Sequence, residues 1–250
     1  MRIVAALMLR EMSSTYGRSP GGYLWAIIEP VGYIAVLSVG FALLLRTPPL
    51  GASFTLFYAT GFLSFFVYQR VQQVVSHAIP YSRPLLFYPA VTWVDVVLAR
   101  CLLNALTHVL VLVLVLGAVL LYLGGAPSID LVAVFLALAG AVLIGLGVGS
   151  VNAVLFGLFP VWGSIWNVIS RPLFLASGVI FLLEDLPRVL REILWWNPLV
   201  HVTGLFRQGI YAGYEPEYVN VFFMFFFGLT ATFFGFLLLR KHHRTLIERA

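Results

Sequence analysis

Charge is what this 250-residue chain has least of. Asp, Glu, Lys and Arg make up 10% of it against 61% hydrophobic residues, where a soluble domain carries roughly 25% charged residues. A chain so poor in charge cannot cover a globule with a solvated surface. Its one cysteine, Cys101, excludes an internal disulfide and leaves no basis for a redox or zinc role. No GxxxxGK[ST] run occurs, so a phosphate-binding loop of that kind is excluded. The histidines, His77, His108, His201, His242 and His243, stand at spacings that suit neither a metal site nor a catalytic triad. Between Arg2 and Arg10 the apolar core is too short for a secretory signal, and no small-residue cleavage site follows. A membrane-embedded hydrolase or transferase would therefore lack its catalytic cluster.

What the chain does have is long apolar stretches, at 33–45, 54–75, 96–123, 131–159, 165–183 and 219–239. A ~30 Å hydrocarbon core needs roughly 20 helical residues per crossing, which the last five supply alone and the first supplies once it starts near Leu24. The expected fold is all-α: a polytopic membrane protein with six transmembrane helices in a single domain over residues 1–250. Gly140, Gly145, Gly147 and Gly149 superficially resemble a nucleotide fingerprint, but they lie within an apolar helix, where small residues let helices pack closely.

Basic residues resist translocation, so their distribution sets the orientation. One face gathers Arg2, Arg10, Arg18, Arg70, Arg83, Arg100, Arg240, Lys241, Arg244 and Arg249, while the other holds Arg46, Arg188, Arg191 and Arg207 among most of the acidic residues. Both termini are expected to face the cytoplasm. The net charge of +5 is then topological and implies no nucleic-acid partner. Residues 1–20 read as an amphipathic helix in the headgroup plane followed by a breaker-rich elbow.

Only two connections are long enough to act. The cytoplasmic one, 76–95, mixes large apolar residues with prolines that forbid a long helix: Ile79, Pro80, Tyr81, Ser82, Arg83, Pro84, Leu85, Leu86 and Phe87. An exposed apolar loop argues for a docked partner, with immersion among membrane lipids as the alternative. The external one, 184–218, runs from an amphipathic stretch through Trp195, Trp196, Asn197 and Pro198 into a largely apolar segment containing Arg207. It reads as two short re-entrant helices covered by protein or a wet cavity, or else as an interfacial hairpin.

Within the spans, Arg171 and Glu29 stand out because a charge at depth costs at least ~2.5 kcal/mol unless it meets a partner or water. They either form an ion pair, in the simplest case with each other, or line a polar path for an acidic substrate. Pro172 suggests a kink. His108 reads as a hydrogen-bonded packing residue. Trp25, Tyr33, Tyr58, Phe62, Tyr68, Trp162 and Trp166 suit interface belts or, where they face a cavity, stacking against sugar rings.

Arg10-Glu11 followed by Tyr16-Gly17-Arg18-Ser19, then Gly22-Tyr23-Leu24-Trp25-Ala26 and Glu29-Pro30, resembles the amino-terminal signature of the membrane subunit of type-2 ABC exporters, in particular the Kps-type permeases of capsular polysaccharide export. Ser82-Arg83-Pro84-Leu85-Leu86-Phe87-Tyr88-Pro89 with Asp95 and Arg100, and then Ser177-Gly178, Asn197-Pro198-Leu199 and Arg207-Gln208, extend the resemblance along nearly the whole chain. It implies a permease in the bacterial inner membrane exporting a lipid-linked acidic polysaccharide, with O-antigen or teichoic acid as related cargoes. It further implies a homodimer bound to two copies of a separate ATPase that holds ATP and Mg, together with periplasmic and outer-membrane export partners. Residues 76–95 become a coupling helix in an ATPase cleft. Arg171, Tyr33, Trp25, Glu29 and Trp166 become channel candidates on spans one and five, and Trp195, Trp196, Asn197, Pro198 and Arg207 become the external gate.

Overall fold

The computed structural model describes residues 2–15, 22–125 and 128–249, and among these it forms eleven α-helices and no strand. They are α1 (Arg2–Thr15), α2 (Gly22–Leu44), α3 (Phe54–Ser76), α4 (Ala78–Tyr81), α5 (Arg83–Leu86), α6 (Trp93–Tyr122), α7 (Leu131–Leu158), α8 (Trp162–Ala176), α9 (Arg188–Trp195), α10 (Pro198–Ile210) and α11 (Val221–Arg249). The expected elbow at 16–21, with Tyr16-Gly17-Arg18-Ser19, lies outside the described residues, as do 126–127.

Polar residues just ahead of the apolar runs start the helices by binding otherwise unpaired backbone N–H groups. Ser53 caps α3 and Asp130 caps α7, while Thr92 and Asp95 form a reciprocal capping box at α6. Asn197 caps α10, with Pro198 in the first turn, where its missing N–H costs nothing.

The centre of the bundle is α7, packed between α3 and α11. Its glycines make both contacts close. A Cβ on Gly145 would stand 3.0 Å from the Tyr68 carbonyl oxygen of α3, and one on Gly149 2.8 Å from that of Gln72. On the α11 side, Gly147 would meet Ala231 Cβ at 2.7 Å. The small residues therefore serve helix packing, as their place in an apolar helix suggests. At one end, α10 lies across α7 and α3 with almost every residue buried. At the other, α11 continues past its apolar stretch, and Leu246 packs against Gly157.

Two helices stand apart from this frame. Most of α2 is exposed, and α8 has no fully buried residue. By length and composition α2 (from Leu24), α6, α7 and α11 can cross a membrane. In α3 the amides and guanidinium of Gln69, Arg70, Gln72 and Gln73 lower the hydropathy of a 23-residue helix. The stretch expected to be helical over 165–183 departs from expectation more clearly. The helix passes continuously through Pro172 but stops at Ala176, so its 15 residues reach only ~22 Å. Gly178 turns left-handed at φ 71°, and the chain that follows is unwound.

Candidate functional site

Three regions carry the polar chemistry. The first is the connection 76–95. Instead of one helix it forms the single-turn helices α4 and α5, broken at Ser82, because Pro80 and Pro84 prevent a continuous hydrogen-bond ladder. Ile79 is fully buried, and Leu86 packs partly against the same core cluster. Ser82 is buried, while Arg83 and Leu85 are half-buried. The side chains this turn presents outward are Pro80, Tyr81, Pro84, Phe87 and Tyr88; Phe87 and Tyr88 are 68% and 63% exposed.

Arg100 of α6 holds this turn in place. Its Nε donates to Glu11 of α1 at 3.1 Å, its Nη1 donates to the His77 carbonyl at 3.1 Å, and its guanidinium stacks 3.9 Å from the Tyr81 ring centroid. Glu11 is turned inward and buried. One buried guanidinium thus joins α1, the α4–α5 turn and α6. Sequence reading missed this function of Arg100, although an arginine and a glutamate flanking apolar segments were visible.

The second region is a cleft between α2, α3 and α8. One part, about 430 Å³, is lined by Glu29, Tyr33, Phe62, Arg70 and Arg171 among others. Glu29 pairs with Arg70, not with Arg171. The packing of α2 against α3 gives that carboxylate a guanidinium on the neighbouring helix, which corrects the expected Glu29–Arg171 pair. Arg70 also lies 4.8 Å from the Phe66 ring centroid. Arg171 makes no ion pair among the described residues. Tyr33 stacks on Phe62 with centroids 5.1 Å apart. The adjoining part, about 420 Å³, holds Trp166 with Gln69, Gln72, Gln73, Ser76 and Asn167. Trp25 lines neither part and is 65% exposed. His108 lies buried edge-on to Phe66 at 5.2 Å, but its Nδ1 has no hydrogen-bond partner among the described residues, unlike the bonded histidine expected.

The third region is the connection 184–218, which does form two short helices, α9 exposed and α10 buried. Most of its candidate gate residues fasten it down. Trp195 Nε1 donates to the Tyr218 carbonyl at 3.0 Å, and its ring stacks on Phe223. Asn197 caps α10 and donates to the Ala176 carbonyl at 2.9 Å. Pro198 is buried and Trp196 is 69% exposed. Asn220 N–H donates to His201 Nδ1, which puts the imidazole proton on Nε2, facing the Trp195 carbonyl at 2.8 Å. Burial and the Glu184 charge push the Tyr218 phenol up to about 12.

Arg207 is completely buried. It donates to the carbonyls of Gly178 at 2.6 Å, Val179 at 2.9 Å and Phe181 at 3.3 Å, and it lies 4.1 Å from the Phe57 ring centroid. This explains the early end of α8. Carbonyls that leave a helix need donors: Asn197 donates to that of Ala176, Thr203 to that of Ser177, and Arg207 to those of Gly178, Val179 and Phe181.

The arrangement contains no group of three or more His, Cys, Asp or Glu side chains placed for a metal among the described residues. It offers a polar groove beside a helical frame, an outward-facing turn and a pinned cap. A model of the ABC-2 type transporter family matches residues 3–211. The chain belongs to that family. Permease subunits of the ABC-2 family are not themselves enzymes, and the apolar helices make this chain a multi-pass membrane protein. Among relatives of this ABC-2 chain, the Escherichia coli polysialic acid transport protein KpsM is 28% identical over 246 residues, covering 98% of this chain and 95% of its own. The Neisseria meningitidis capsule polysaccharide export inner-membrane protein CtrC is 24% identical over 94% of this chain and 88% of its own. The Haemophilus influenzae protein BexB, described in the same words, is 24% identical over 96% and 91%.

Proposed function

We propose that this chain is the inner-membrane permease of a capsular polysaccharide exporter. The observation that carries the reading is the end-to-end similarity to capsule export proteins, in a helical bundle whose lightly packed helices α2 and α8 border a polar cleft. The cargo is a lipid-linked, acidic glycan, for which Arg171 supplies a cation without an ionic partner among the described residues. Six crossings place both termini in the cytoplasm, with α3 and α8 completing the four longer apolar helices. Two copies of the chain assemble with two copies of a separate ATPase that binds ATP and Mg, and the α4–α5 turn docks in that ATPase through Phe87 and Tyr88. Periplasmic and outer-membrane partners carry the glycan onward from the end capped by α9 and α10. ATP binding and hydrolysis then shift the dimer between channel states through the docked turn.

Deletion of the chain in its own host tests this. Surface polysaccharide should disappear while the polymer accumulates inside the cell, and re-expression of the chain should reverse both changes. Unaltered surface polysaccharide in the deletion strain overturns the reading. Accumulation of another envelope glycan reassigns the cargo.

A further inference from the structure

Gln69, Gln72, Gln73 and Ser76 follow one another at helical i, i+3, i+4 and i+7 positions, so they share a face of α3. That face opens into the cleft part of about 420 Å³, where Asn167 and Trp166 of α8 stand opposite. The volume is within the roughly 300–1,000 Å³ typical of small-molecule sites. The side-chain amides of Gln69, Gln72 and Asn167 make no hydrogen bond with the described residues. Gln72 is buried, whereas Gln69 and Asn167 are exposed to the cleft; withdrawing a buried amide from water without a partner costs about 1–3 kcal/mol. Three unpaired amides on one cleft therefore signal contents that can hydrogen-bond.

The donor set indicates which contents. Each amide offers both donors and acceptors, matching hydroxyl groups that are themselves both. The lining contains no Asp, Glu, Lys or Arg, and its His77 ring already contacts the Gln73 carbonyl, so it carries no permanent charge. The adjoining part has Arg70 and Arg171 and shares Gln69, Gln73 and Ser170 with this one, making one track with a neutral and a cationic stretch. We propose that Gln69, Gln72 and Gln73 of α3, facing Asn167 and Trp166 of α8, form a subsite for the uncharged hydroxyl-bearing face of the glycan chain. Acidic groups of the same chain lie toward Arg171, since Glu29 already pairs with Arg70. This assignment rests on the export reading above.

Single cysteines test it in the whole transporter, because Cys101 is the only native cysteine and is removed as Cys101→Ala. Gln69→Cys and Asn167→Cys are each probed with a small membrane-impermeant maleimide on inverted vesicles. The vesicles come from two strains, one making the polysaccharide and one blocked in its synthesis, both with export stalled by an inactive ATPase. Labelling should be rapid without polysaccharide and at least about fivefold slower with it, while a cysteine at exposed Lys241 labels equally in both. Equal labelling of Gln69→Cys and Asn167→Cys in the two strains overturns the subsite. So does slow labelling in both, which assigns the cleft to lipid or to packing. The Cys101→Ala parent, assayed for capsule in an unstalled strain, separates failure of the subsite from failure of the export reading. Capsule restored without protection defeats the subsite alone, whereas no capsule from the unmodified chain defeats the reading beneath it.

Discussion

Removing the guanidinium of Arg100 should release the first helix while leaving the bundle folded. Arg100 and Glu11 each keep only 10% of their side-chain surface exposed, so Arg100→Met takes from a buried carboxylate the guanidinium that joins it to α6. Breaking such a pair from one side costs about 3–5 kcal/mol. The loss falls on α1, because α6 and α7 retain their own packing. At about 1.4 kcal/mol per factor of ten, amide exchange in α1 should accelerate by roughly 100-fold or more, measured by hydrogen–deuterium exchange on protein in detergent. Glu11→Gln should do less, since its amide oxygen still accepts from Nε. The double variant Glu11→Leu with Arg100→Met should recover part of the loss, because both members of the pair are then apolar, giving a coupling of about 2 kcal/mol. Unchanged exchange in Arg100→Met, or strictly additive single effects, would refute the view that this pair is what ties α1 to the turn.

Phe87→Asp with Tyr88→Asp should strip the ATPase from the purified transporter at unchanged bundle stability, because buried aromatic anchors dominate interfaces; full co-purification would place the docking surface elsewhere. Leu86→Asp should lower thermal stability as well, since that residue packs on the core. Gly149→Val should destabilise the α3–α7 contact by about 1–3 kcal/mol or more, read as a lowered unfolding temperature. Arg207→Met should leave the carbonyls of Gly178, Val179 and Phe181 without its guanidinium and cost about 3–5 kcal/mol, with Arg207→Lys retaining only part of the stability. Arg171→Met should preserve thermal stability, having no ionic partner to orphan, yet abolish capsule export, with Arg171→Lys exporting partially; a fully exporting Met variant would remove Arg171 from the transport path.

The helical frame was legible in the sequence because apolar length and small-residue spacing are local properties. The α3–α7 approach at Gly145 and Gly149 and the paired short helices after α8 follow from such patterns. Partnership between distant polar residues was not legible. Nothing local distinguishes Arg70 from Arg171 as the partner of Glu29, because the choice depends on how α2 lies against α3. Arg207 was assigned to a gate for its place in an external loop, and only the fold shows it facing inward. The candidates from Ile79 to Phe87 were named alike, and only the fold separates buried Ile79 from outward Phe87. Prolines announce a turn, but they do not say which side it shows. The amides of α3 were passed over because each glutamine is unremarkable alone; their i, i+3, i+4 repetition within an apolar helix was the available signal.

Arg207 also constrains the order in which this protein can be made. Its backbone partner Gly178 precedes it by 29 positions, so a ribosome completes α8 and the unwound stretch well before their donor exists. A nascent chain released into lipid at that moment would expose bare carbonyls to hydrocarbon. The growing segment must therefore keep a provisional helical form, or stay sheltered by the insertion machinery, until α10 arrives. Folding of the upstream half is thus conditional on a residue that lies downstream of it in the sequence.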